Sequence, residues 1–363
     1  MVEGESYLCY GKGGWQKSLD GHAIIRKAPK DVSEILPQIW GGLHDFKSMS
    51  TILVTGGTGF IGQALVRHLA DSGHRVRILL RASSRSPNLP RSLPVEVAVS
   101  DLNDQRGLRA AMVGVDIVYH LAGAEWRGAY ASLMEIDIQG TQNVVAAAAD
   151  ARVKRMFFVS HLGADRASAY PVLKAKAIAE ENIRRSGIDF TILRTGIVFG
   201  NNDGFTTGLA QLITSIPRFF FVPGDGETLL QPLWVEDLST CLVWALDDDR
   251  TYNQMYEIGG PEYLTFNQVV QTVIEILDIR RRLIHLRQPY LRALTVFLEN
   301  LLPATPVSIY WLDYLATNRA GNLDTIPRFF NLMPSRFSQR LAYLEGRDWR
   351  RDMWLRVFRR RPN

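Results

Sequence analysis

The stretch Thr51–Ala70, TILVTGGTGFIGQALVRHLA, decides the fold. A short run of apolar and β-branched residues, TILVT, breaks into glycines and then into the amphipathic segment FIGQALVRHLADSG. That order reads as strand, tight loop and helix. Gly56, Gly59 and Gly62 form G-x-x-G-x-x-G at the mouth of the helix. Glycine permits the turn, lets a ligand approach the backbone, and lets helix and strand pack closely. A helix start also carries unpaired N–H groups and the positive end of the helix dipole, which suits a pyrophosphate. The loop is therefore read as a dinucleotide cradle built from Gly56, Thr58, Gly59, Phe60, Ile61 and Gly62.

Working outward, HRVRILL, VEVAV, DIVYHLA, RMFFVS and FTILR read as further strands. Helical stretches such as TQNVVAAAADARV lie between most of them. Alternation of this kind predicts an α/β fold with a Rossmann-type doubly wound parallel sheet. A smaller, mostly helical C-terminal region for substrate or partner is expected to follow. The expected boundaries are an N-terminal extension at 1–48, a dinucleotide-binding core at 49–200, a C-terminal region interleaved with it at 201–345, and a basic amphipathic tail at 346–363. Within the third, FNQVVQTVIEILD reads as an amphipathic helix, and residues 281–335 read as mostly helical with a break at Pro303 and Pro306. Residues 1–48 lack periodicity, and Met49 directly precedes the first strand, so this extension is expected to stand outside the fold.

Composition narrows the function classes. The 363 residues are 46% hydrophobic and 22% charged, with no window of uninterrupted apolar residues long enough for a membrane span. No basic start followed by an apolar run opens the chain, so no signal peptide is expected. Cys9 and Cys241 make no framework, and the histidines follow no metal-ligand spacing, so no metal is expected. A cytoplasmic address follows, peripheral to a membrane surface if the tail docks there. The net charge of +5 is carried entirely by Arg347–Arg361, where seven arginines face two aspartates. The body is thus neutral overall, and nucleic acid is not an expected partner.

The end of the second strand reports on the dinucleotide. An acid there would hold ribose hydroxyls, whereas arginine suits a 2′-phosphate. The sequence is RILLRASSR, with no acid but with Arg81, Ser84 and Arg85. NADP(H) is favoured over NAD(H).

Further stretches carry a resemblance. VSDLND, HLAG, IDIQGTQNVV, LRTGIVFG, WVEDLS, YEIGGPEYLT and FFNLMPSRFSQRLAYL follow one another in order. From about Thr51 to Leu344 the chain resembles the extended and atypical short-chain dehydrogenase/reductase superfamily. It is most similar to the subgroup of the NADPH-binding accessory subunit of respiratory complex I. The resemblance implies cofactor contacts at Asp101 and Leu102 on the adenine side, at Leu121, Ala122 and Gly123 after the fourth strand, and at Ser160.

Catalytic members of that superfamily use a tyrosine, a lysine four residues on, and a serine or threonine. SAYPVLKAKAIAEE, Ser168–Glu181, contains Tyr170 and Lys174 at that spacing. Helical phase argues against them as the pair. At about 100° per residue, Lys176 falls on the same side as Val172, Ala179 and Ile183, while Lys174 falls beside Glu181 and Arg185. Pro171 suits a first helical position and leaves Tyr170 at the cap. The family register, counted back from Gly187, also selects Lys176. It leaves Val172 where the tyrosine belongs, His161 at the serine position, and Asp137 at the helix asparagine. Lys176 is expected to bind the nicotinamide ribose. Tyr170 and His161 are the remaining candidates for a catalytic acid.

Beside a membrane-associated reductase of an apolar substrate such as a quinone or isoprenoid, two functional readings stay open. One is an NADP(H)-binding protein with a degenerate triad, using the dinucleotide structurally or as a sensor. The other is an active NADP-dependent reductase or epimerase/dehydratase on a small carbonyl or sugar-like substrate. The tail, RDWRRDMWLRVFRRR, places Trp349, Met353 and Val357 on one helical face among arginines. It reads either as a membrane-surface or partner-docking segment or as a solvated terminus.

Overall fold

A computed structural model describes residues 49–82, 93–125, 132–301 and 308–358. The expected extension at 1–48 lies outside the described residues. The six strands legible in the sequence form as β1 (Thr51–Thr55), β2 (Arg75–Leu80), β3 (Val95–Val99), β4 (Ile117–His120), β5 (Arg155–His161) and β6 (Asp189–Thr195). Between them lie α1 (Phe60–Asp71), α2 (Gln105–Ala111), α3 (Gly140–Asp150) and α4 (Pro171–Arg184). A π-helical turn, Met134–Gln139, leads into α3.

Beyond residue 195 several strands are only two residues long. The elements there are β7 (Val198–Phe199), α5 (Thr206–Ser215), β8 (Phe219–Pro223), β9 (Leu229–Leu230), β10 (Leu233–Trp234), α6 (Val235–Asp247), β11 (Gln254–Ile258), β12 (Leu264–Thr265) and α7 (Phe266–Ile276). Then follow β13 (Arg282–Leu286), α8 (Gln288–Leu301), α9 (Ile309–Tyr314), α10 (Thr325–Phe330) and α11 (Trp349–Phe358).

Seven parallel strands make the central sheet in the order β11-β6-β5-β4-β1-β2-β3. Ile52, Leu53 and Val54 are fully buried, because helices cover both faces and leave no alternate residue for water. Leu65 and Leu69 of α1, Leu238 and Leu242 of α6, and Phe330 of α10 fill one layer. Leu108 of α2, Val144 of α3 and Ile183 of α4 fill the other. The sheet reverses its order between β1 and β4, and at such a switch point loops on the two sides part and leave a crevice. The edge strand β11 comes from beyond residue 200, so the C-terminal region completes the core sheet.

A third cluster packs the C-terminal region, with Phe199, Phe205, Phe220, Phe266, Phe337 and Trp349 at its centre. Two readings are corrected here. The segment 281–335 does not begin as helix: Arg282–Leu286 pairs in parallel with Phe219–Pro223, a partner distant in sequence. The tail's apolar stripe is not wholly free either. Trp349 and Val357 are buried, and the Trp349 indole N–H donates to the Leu344 carbonyl at 2.8 Å. Burying a tryptophan satisfies both its apolar area and its single donor, so this face closes the third cluster and leaves Trp354 and Leu355 exposed.

Candidate cofactor cleft

The loop after β1 has the geometry its glycines foretell. Gly56 has φ +71°, and a Cβ on it would lie 2.8 Å from the Leu121 carbonyl oxygen and the Ala122 nitrogen. A Cβ on Gly62 would lie 2.2 Å from the Gly56 carbonyl oxygen. The loop is thus pressed between the β4 end and α1. Gly59 caps α1 without a side-chain hydrogen bond, so no side chain of the cap competes for the opening N–H groups. A close backbone approach and an uncapped helix start are what a pyrophosphate needs; the residues present fit a dinucleotide.

A cleft of about 920 Å³ opens along the carboxyl ends of the strands. Its walls include the glycine loop with Thr58, Phe60 and Ile61, then Arg81, Asp101 and Leu102, then Leu121, Ala122 and Gly123. Arg81 is exposed at the end of β2; Ser84 and Arg85 lie outside the described residues. Ser160 does not line the cleft. Side chains alternate along a strand, and Val159 and His161 take the cleft side of β5 while Ser160 is buried with an unpartnered hydroxyl.

Tyr170, Val172 and Lys176 enter the cleft from α4. Tyr170 is the N-cap and Pro171 the first helical residue. Lys174 is exposed and Lys176 is buried. The Lys176 ammonium lies 3.2 Å from Asp137 Oδ1, and Asp137 Oδ2 accepts from the Ala124 N–H at 3.0 Å. Burial pushes the lysine pKa down, but the charges of Asp137 and Glu125 outweigh it and hold the ammonium above its ordinary range. Gly123 makes room for this pair: a Cβ there would lie 3.2 Å from both Asp137 Oδ1 and Lys176 Nζ.

Several cleft residues escaped the sequence reading. Glu125 Oε2 lies 2.6 Å from His161 Nε2. Burial raises the Glu125 pKa, yet the neighbouring His161 and Lys176 charges prevail and bring it down to about 2. His161 meets Tyr314 edge to face, with centroids 6.1 Å apart, and the Tyr314 hydroxyl is buried without a partner. Arg319, 4% exposed, stacks over Tyr314 at 5.1 Å and donates to the Leu162 carbonyl at 3.1 Å. These groups converge from the β4 and β5 ends, α9 and the segment after it. No spacing announces them; only the dipeptide-level oddity of an acid just after HLAG could have drawn notice.

His120 beneath the cleft is structural. Its ring bonds Thr55 Oγ1 at 2.7 Å and Thr141 Oγ1 at 2.9 Å, and burial, with Lys176 nearby, lowers its pKa to about 3.

A doubly wound sheet, a glycine loop at the switch point and a cleft across it give the chain a fold similar to that of nucleotide-sugar epimerases, with a cleft that fits a dinucleotide. Residues 56–215 match the NAD(P)H-binding family model. Among relatives, the chain is 28% identical over 292 residues to NADH dehydrogenase (ubiquinone) 1 alpha subcomplex subunit 9, mitochondrial, of Arabidopsis thaliana, covering 76% of this chain and 70% of that one. It is also 28% identical over 241 residues to a ceramide reductase of Caulobacter vibrioides, covering 66% of this chain and 74% of that one. Among solved structures, UDP-glucose 4-epimerase from Thermotoga maritima superposes with a TM-score of 0.62 at 19% identity, covering 81% of this chain and 97% of that one.

Proposed function

We propose that the protein binds NADP(H) as a structural or sensing group and does not carry out tyrosine-dependent hydride transfer. The observation that carries this reading is Val172 on the cleft wall one turn before Lys176, with the lysine engaged by Asp137. A phenol activated by a neighbouring ammonium is the acid such chemistry needs, and valine supplies no proton. Lys176 binds the nicotinamide ribose by charge and hydrogen bond. The glycine loop holds the pyrophosphate, and Arg81 supports preference for the 2′-phosphate. A bound NADPH would supply a hydride; the chain's own residues here hold it and shield it.

A second reading, an NADP-dependent reductase or epimerase of a small carbonyl or sugar-like substrate, rests on the far end of the cleft. Tyr170, His161 with Glu125, the Tyr314 hydroxyl and Arg319 line it together. Such a pocket can polarise a substrate oxygen without the usual tyrosine. The relatives' names fall on both sides, one a respiratory-complex subunit and one a reductase.

Titration of NADPH against the wild type, Tyr170→Phe and Lys176→Met, followed by tryptophan fluorescence, tests the first reading. Lys176→Met is expected to weaken binding and Tyr170→Phe to leave it unchanged. NADPH oxidation by a carbonyl panel that collapses with Tyr170→Phe or His161→Ala would establish the second reading instead.

A further inference from the structure

Helix α8 carries an apolar stripe that stands largely exposed. Tyr290, Leu294, Phe297 and Leu301 are 67%, 46%, 62% and 64% exposed. Their offsets of four, seven and eleven residues place them within about 60° of arc. The helix does pack on the protein, but through a different face, where Leu291, Thr295 and Glu299 are buried. Four large apolar side chains aligned on water are not scattered surface residues; a contiguous patch of this kind marks a contact.

The charge around the stripe says what kind of contact. From Ile279 to Leu301 there are five arginines and one acid, Glu299, and that acid is buried. Arg281 donates to the Ile213 carbonyl, and Arg292 pairs with Asp313. Arg280, Arg282 and Arg287 are exposed, and no acid partners them among the described residues. The strand pair that feeds the helix repeats the composition: Phe219 and Phe221 of β8 are 39% and 37% exposed, and Arg282 stands in register with Phe219. Aromatic and aliphatic side chains beside free guanidinium groups complement a surface that is apolar beneath and anionic above. Fourteen residues of helix are only about 21 Å long, and no described helix is long and apolar enough to cross a membrane.

We infer that α8 is an interfacial helix which lays Tyr290, Leu294, Phe297 and Leu301 into the surface of an anionic bilayer, with Arg280, Arg282 and Arg287 on the headgroups. The site is separate from the cleft, and it does not depend on whether the dinucleotide is turned over.

The test is co-sedimentation of the full chain with vesicles of phosphatidylcholine alone and of phosphatidylcholine with phosphatidylglycerol. Binding to the anionic vesicles only is expected, weakened by high salt. Phe297→Ser with Leu301→Ser should lower partitioning at least roughly tenfold. Arg280→Gln, Arg282→Gln and Arg287→Gln together should lower it by about two orders of magnitude. An unchanged NADPH-induced thermal shift checks that each variant is folded. Absence of binding to anionic vesicles overturns the inference. So does binding that survives both sets of changes but disappears on truncation before Arg347, which would assign the contact to the tail. Failure to bind vesicles together with a dimer in sedimentation velocity that the Phe297/Leu301 change dissolves would show a second copy of the chain as the occupant instead.

Discussion

Asp137 and Lys176 face each other at 3.2 Å with both side chains buried, the acid in a π-helical turn and the lysine on α4. The resemblance leads one to expect an asparagine at this position, and the carboxylate found there adds a charge to what an amide would supply as hydrogen bonds. The pair locks the lysine in the cleft wall. Removing one member of a buried pair strands the other charge and costs about 3–5 kcal/mol. Asp137→Leu is therefore expected to destabilise by that amount in urea unfolding. Asp137→Asn should cost less, and Asp137→Leu with Lys176→Met should recover much of the loss. A single-variant cost below about 1 kcal/mol would mean the ammonium finds another partner.

The glycine loop can be dissected with alanine. Gly56→Ala combines positive φ with contacts of 2.8 Å to backbone at Leu121 and Ala122. Gly73 has φ +83° and nothing within 4 Å of a Cβ. Gly73→Ala should cost only the left-handed penalty of about 1–2 kcal/mol and leave NADPH affinity unchanged. Gly56→Ala should shift the loop and abolish NADPH-induced protection in thermal unfolding. Equal effects of the two changes on cofactor binding would remove the loop from the site.

How much of this could be read in advance depends on range. The glycine loop and β1 to β6 are set by neighbours in sequence: an apolar run, then glycines, then a helical period. Lys176 was separable from Lys174 because one helix fixes both directions. Arg282–Leu286 reads as helical in the sequence because RLIHL carries no decisive period, and its pairing with Phe219–Pro223 is what makes it a strand. The partners of the cleft are harder still. Glu125, Tyr314 and Arg319 meet only through the fold, and each on its own looks like an ordinary surface or core residue. Trp349 reads equally well as part of a docking segment or of a solvated terminus until the third cluster is seen around it.

The proposed preference for NADP(H) rests on Arg81, exposed at the end of β2 on the cleft wall. A guanidinium there complements a 2′-phosphate and gives nothing special to a free ribose hydroxyl pair. Arg81→Glu should weaken NADPH about tenfold or more through lost attraction and new repulsion. NADH affinity should hold or rise. Fluorescence titration of both nucleotides checks this, and a ratio that does not move would place the discrimination elsewhere.

Two buried groups push stability in opposite directions with pH. His120 has its folded pKa lowered to about 3, chiefly by burial, so the fold favours the neutral ring. Its contribution is present above the unfolded pKa near ~6.5 and is lost as pH falls from there to about 3, on the order of 5 kcal/mol in all. Asp203 stands just before α5 and accepts from the Thr206 and Thr207 N–H groups at 3.2 and 2.9 Å. Burial nonetheless outweighs those bonds and raises its pKa to about 6. The folded state therefore holds the proton more tightly, and stability falls as pH rises from roughly 4 to 6, on the order of 3 kcal/mol. The difference in unfolding free energy between wild type and Asp203→Asn should thus decline across that interval and then level off. The difference between wild type and His120→Gln should instead grow with pH up to about 6.5. Denaturant unfolding at half-unit pH steps separates the two, and parallel profiles for both variants would refute the assignment.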